Sequence, residues 1–140
     1  IPKGKEKEAL ASAKMSKSKP ETCVFISDSP EDIRTKIGNA FCPERMVEYN
    51  PIIEIVKYII FRERKTFIVE RPAKFGGPID FGSYKEFETA YKAGKLHPMD
   101  LKNAVAEGLI SILAPVRRYF ETNREAREGL EILREVQVTR

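Results

Sequence analysis

Three short groups of residues in this 140-residue chain carry side chains that can do chemistry. The first is Lys14-Met15-Ser16-Lys17-Ser18, two ammonium groups and two hydroxyls in a row of five. Such a group attracts an anion, although a Lys- and Ser-rich stretch is also the composition of a solvated tail. The second is His97-Pro98-Met99-Asp100. Pro98 suits the first turn of a helix, His97 falls at the cap position, and Asp100 projects from the same end. A carboxylate there can accept hydrogen bonds from the Watson–Crick edge of an unpaired guanine, or can simply complement the helix dipole. The third is Phe75, ahead of the turn residues Gly76-Gly77. An aromatic on that turn can stack on an unpaired base or can fix the turn to the core.

Other chemistries are poorly served. There is a single His, and Cys23 and Cys42 form no CxxC pair, so zinc ligation is not indicated and a reducing, cytoplasmic setting fits. No apolar run approaches the length of a membrane span. The formal charge of +4 is unevenly placed. Residues 1–20 hold six Lys and two Glu, whereas residues 21–140 hold 19 basic and 19 acidic side chains and balance. The neutral part therefore lacks the clustered charge of a strong nonspecific RNA binder.

The elements that must position these groups are mostly helices. Residues 3–13 have helical propensity without an apolar stripe and read as a mobile segment, and 14–22 as loop. Cys23-Val24-Phe25-Ile26 reads as a short buried strand. Ser29 or Asp28 caps a helix that starts at Pro30 and runs to about Phe41. Asn50-Pro51 opens a second helix, whose Ile52, Ile53, Ile55, Val56, Ile59 and Ile60 are apolar nearly all round and belong in the core. Phe67–Val69 and Ile79–Phe81 read as short strands around the Gly76-Gly77-Pro78 turn. Ser83 and Glu86 form a capping box for a helix ending near Gly94. The longest helix opens at Pro98 and carries Leu101, Val105, Leu109, Ile112, Leu113, Val116 and Phe120, with a kink or break expected at Pro115. Asn123 caps a last helix carrying Ala126, Leu130 and Leu133.

Lys14–Ser18 is, letter for letter, the KMSKS signature of class I aminoacyl-tRNA synthetases. Its continuation, KMSKSKPE, the apolar VFI and DSPEDIRTKI, resembles the exit from the catalytic domain in tyrosyl- and tryptophanyl-tRNA synthetases. RPAKFGG (71–77) and LHPMDLKNAVAE (96–107) are similar to the C-terminal domain of archaeal-type tyrosyl-tRNA synthetases and favour tyrosyl over tryptophanyl. The likeness spans nearly all of 14–140. The nucleotide-binding fold and its HIGH signature would precede residue 1, and the chain begins with Ile rather than Met, as a piece of a longer protein would.

The resemblance implies a mainly α fold with a small β excursion near 67–81. Residues 1–29 would be the tail of a Rossmann-type catalytic domain, and 30–140 a helical anticodon-binding domain. It implies a tyrosine–tRNA ligase that uses ATP and Mg²⁺ in its intact form, with no ligand expected on this portion alone. Its partners would be tyrosine tRNA, tyrosine and ATP, and a homodimer in the intact enzyme. Lys14, Met15, Ser16, Lys17 and Ser18 would bind ATP, with Lys14 and Lys17 catalytic. Charge placed on the departing pyrophosphate supplies most of what such a step needs from side chains. Phe75, His97, Pro98, Met99 and Asp100 would read the first anticodon base, a guanine in tyrosine tRNA. Cys42 would line that pocket, or would be a small buried thiol. Lys102, Arg71 and Lys74 would touch phosphates. Two other readings stay open: a non-catalytic RNA-binding module, and the same region of a tryptophanyl enzyme.

Overall fold

The computed structural model describes residues 4, 7, 8, 11, 14, 15 and 18–138. Of the expected mobile segment 3–13, the described Gly4, Lys7, Glu8 and Ala11 have helical backbone, in line with the propensity of Lys7, Glu8 and Ala11. Ser16 and Lys17 lie outside the described residues.

The fold is mainly helical. Helix α1 covers Pro30–Asn39. Its cap is Ser29, whose hydroxyl accepts from Asp32 N–H while the Asp32 carboxylate accepts from Ser29 N–H. The reciprocal capping box thus lies here. At the helix α3, Tyr84–Lys92, only half of the expected box forms. Ser83 accepts from Glu86 N–H, but the Glu86 carboxylate reaches past the cap to Gly82 N–H. Helix α1 stops two residues before Phe41, its C-cap Ala40 being extended.

Helix α2 spans 51–63 in three parts: α-helical Pro51–Ile55, a π turn Val56–Ile60, and a last α turn Phe61–Glu63. Asn50, fully buried, caps it by accepting from the N–H groups of Ile52 and Ile53. Ile52, Ile53, Val56 and Ile60 are buried, as the apolar run predicted, but the wide turn sets Tyr58 and Ile59 outward. Strands β1 (Phe67–Val69) and β2 (Ile79–Phe81) pair antiparallel, with Phe67 opposite Phe81. Helix α4 covers Pro98–Thr122 and helix α5 Arg124–Val138, the latter capped by Asn123.

One expectation fails and another is narrowed. Residues 23–26 form no strand, and Ile26 is exposed. Instead the segment is held by side chains: Lys36 Nζ donates to Cys23 O at 2.9 Å and to Asp28 Oδ2 at 2.7 Å, and it stands over the Phe25 ring. Asp28 in turn accepts from Phe25 N–H. Of the kink or break expected at Pro115, the break does not occur, since helix α4 runs through that residue. Pro115 and Ser111 lie on the exposed face, where the carbonyl that loses its donor can turn to water.

The core joins α1 (Ile33, Ile37), α2, the first half of α4 (Leu101, Val105, Ala106, Leu109) and the sheet. Its aromatic centre is Phe87, edge-on to Phe67 and Phe81 with ring centroids 5.8 and 5.6 Å away. Beyond Leu109 the α4 stripe is only half-buried, and on α5 Leu133 is exposed.

Candidate nucleic-acid interface

A groove of about 640 Å³ opens between the β1–β2 connection and the start of α4. It is lined by Glu44, Arg71, Pro72, Lys74, Phe75, Gly94, Lys95, His97 and Asp100. Two residue groups that lie more than twenty positions apart in sequence thus share one wall-to-wall space.

Phe75 ends a 3₁₀ turn, Ala73–Phe75, whose C-cap Gly76 has φ 100°. Gly77 follows at φ 72°, so the chain reverses through two left-handed residues that only glycine adopts at little cost. The reversal pushes Phe75 into solvent, 58% exposed, with Lys74 Nζ 5.0 Å from its ring centroid. A core role for this aromatic is therefore ruled out.

His97 caps α4: its Nδ1 accepts from Met99 N–H at 3.1 Å. In the neutral ring this leaves the proton on Nε2, as an outward donor. Pro98 occupies the first turn, and Met99 is half-exposed. Asp100 lies in the first turn, and among the described residues its carboxylate makes no hydrogen bond within the chain. It is free to accept two parallel N–H donors. Leu96, just before the cap, is fully buried and ties this helix start to the core.

Cys42 and Lys102 stand elsewhere. Tyr91 donates its hydroxyl proton to Pro43 O at 2.7 Å, and the Cys42 thiol lies 3.4 Å from the Tyr91 oxygen. Asn50 Nδ2 donates to Cys42 Sγ at 3.6 Å. Burial, then the contact with Cys42, pushes the Tyr91 hydroxyl well above its ordinary range, so it stays a donor at all ordinary pH. Cys42 is half-buried in this network and is not among the groove residues. Lys102 Nζ donates to Gly38 O at 2.9 Å, closing the C-terminal end of α1 onto α4. Arg71 and Lys74 do reach the groove.

Glu44, Pro72, Gly94 and Lys95 were not found by sequence reading. Glu44 and Lys95 look like ordinary surface charges in sequence, and only the long-range folding of the loops assembles them beside Phe75. Gly94 carried a signal, the expected end of α3, but as a cap and not as a groove wall.

Lys14 and Met15 line a separate, smaller cavity of about 230 Å³ with Glu21, Thr22, Lys36, Asn39, Ala40, Phe41 and Pro51. Lys14 and Met15 of the signature thus lie near the C-terminal end of α1. Among the described residues no three carboxylate, imidazole or thiol groups converge to hold a metal ion. Nor is any helix among them long and apolar enough to cross a membrane.

The family model for class I tRNA synthetases (W and Y) matches residues 8–114. The tyrosine–tRNA ligase of Pyrococcus horikoshii is 56% identical over 135 residues, and that of Aeropyrum pernix 50% over 138. The chain spans only 35% and 38% of those two proteins, while they match 96% and 98% of it. The crystal structure of the P. horikoshii tyrosyl-tRNA synthetase with L-tyrosine superposes with a TM-score of 0.80 at 53% identity, over 96% of this chain and 36% of that one. With the family model covering most of its length, the chain belongs to the class I tRNA synthetases of the tryptophan and tyrosine type.

Proposed function

We propose that this chain is the anticodon-reading part of a tyrosine–tRNA ligase together with its KMSKS loop. In this reading 1–29 end a Rossmann-type catalytic domain and 30–140 form the anticodon-binding domain of a cytoplasmic, homodimeric enzyme. The observation that carries it is the groove, where an exposed aromatic, an imidazole donor and an unpaired carboxylate converge. A flat apolar face beside paired acceptors is what an unstacked guanine needs: stacking on Phe75, and N1–H and the exocyclic amino group donated to Asp100. The names of the close relatives supply the tyrosine. Lys14, Met15, Ser16, Lys17 and Ser18 would close on ATP phosphates, with Lys14 and Lys17 bearing on the departing pyrophosphate. ATP brings magnesium with it in the intact enzyme.

A titration at fixed low salt tests this, using two tyrosine tRNAs that differ only in guanine or adenine at the first anticodon base. The guanine form is expected to bind at least about tenfold tighter, and Asp100→Ala to erase the difference at unchanged circular dichroism. Equal binding by a folded wild-type chain would refute the assignment.

A further inference from the structure

The Phe75 loop has little of its own to hold it still. Residues 72–76 are all exposed, and the backbone hydrogen bonds of 72–77 close within the loop: Phe75 N–H to Pro72 O, Gly76 N–H to Ala73 O and Gly77 N–H to Pro72 O. The opposite wall is different. Lys95 N–H donates to Ala90 O at the end of α3, and Leu96 is fully buried. One side chain joins the two. Arg71 Nε donates to Gly77 O at 2.8 Å, and its Nη1 donates to Lys95 O at 3.0 Å. Its Nη2 lies over Gly76, where an added Cβ would stand 2.8 Å away.

From this we infer that Arg71 is a positioning residue for base recognition, clasping the loop that carries Phe75 to the loop that leads into His97 and Asp100. The inference rests on the function proposed above and replaces the phosphate contact expected from sequence. Its charge is already directed at two carbonyls of the chain. A planar guanidinium fork can hold both at fixed separation, which a single ammonium cannot. Base reading needs the stacking ring and the carboxylate held within a fraction of an ångström of each other.

The two roles for Arg71 separate in one experiment on the 140-residue chain. The same guanine and adenine tRNAs are titrated at several salt concentrations against wild type, Arg71→Ala and Arg71→Lys, with circular dichroism on each. For a positioning residue, Arg71→Ala reduces the guanine preference about tenfold while the salt slope is kept. Arg71→Lys keeps the charge and restores only part of the preference. It also serves as the informative variant if Arg71→Ala does not fold. A phosphate contact would instead weaken both tRNAs alike and lower the salt slope by about one. That pattern, or an unchanged preference in a folded variant, overturns the inference while the wild-type guanine preference leaves the proposed function standing. Absence of that preference in wild type refutes the function, and the clasp falls with it.

Discussion

The groove and the signature segment are built in opposite ways. Around Phe75, His97 and Asp100, the wall that leads into α4 is tied to the core through buried Leu96 and the capped helix, and Arg71 joins the exposed Phe75 loop to it. Around Lys14 and Met15, the neighbouring segment 23–28 is held largely by polar contacts, Lys36 with Asp28 and the Cys23 carbonyl, and residues 23–26 form no strand. The difference fits the two tasks proposed for them. Reading one base against another depends on fixed distances. Placing positive charge on a departing phosphate tolerates, and for release requires, a loop that can move.

Three substitutions would sharpen or break this contrast. Phe87→Ala removes the ring that Phe67 and Phe81 pack against, and should cost about 3–5 kcal/mol in denaturant unfolding. Because β1 and β2 frame the groove loop, guanine preference should vanish with it. A Phe87→Ala chain that stays stable and selective would show that the groove does not depend on this core. Lys36→Met should cost about 1.5–3 kcal/mol, since Asp28 and the Cys23 carbonyl both lose a charged donor. Here the damage should stay local. Amide exchange is expected to quicken over 23–28 while tRNA selectivity holds, and loss of selectivity would mean that the two regions are mechanically coupled. Lys14→Ala should move the unfolding midpoint least, by under about 0.5 kcal/mol, as befits a surface residue outside the packed core. A larger shift would place Lys14 in the structural framework.

What sequence reading found follows from the range of the forces involved. Caps are local chemistry, and Ser29, Asn50, Ser83, His97 and Asn123 all cap as their residue types predict. Phe75 and the His97–Asp100 turn were legible for the same reason, since a glycine pair and an N-terminal Pro fix their surroundings. The failures depend on distant partners. Val24-Phe25-Ile26 has the composition of a strand but no neighbouring edge to pair with, so Lys36, thirteen positions after Cys23, decides its path. The π turn in α2 cannot be seen in an apolar run, because burial on both sides of the extra residue looks alike in one dimension. Pro115 spares its helix because its face is exposed, a fact of tertiary packing. Arg71 reads as a free cation until Lys95, twenty-four positions later, is brought beside it.

The groove's two rim glycines carry a consequence for how such a site can drift over generations. Gly76 lies under the Arg71 guanidinium, and Gly94, with φ 77°, lies under that of Arg45, where an added Cβ would stand 2.5 Å from Nε. Each glycine is held by its backbone angle, and a Cβ there would also oblige the flexible arginine end above it to move aside. A lineage that shortened either arginine would leave room for Asn, the residue most tolerant of that angle, at the matching position. A shortened arginine asks nothing of its glycine but makes room above it, so within Arg71–Gly76 and Arg45–Gly94 a change at the arginine should come before one at the glycine.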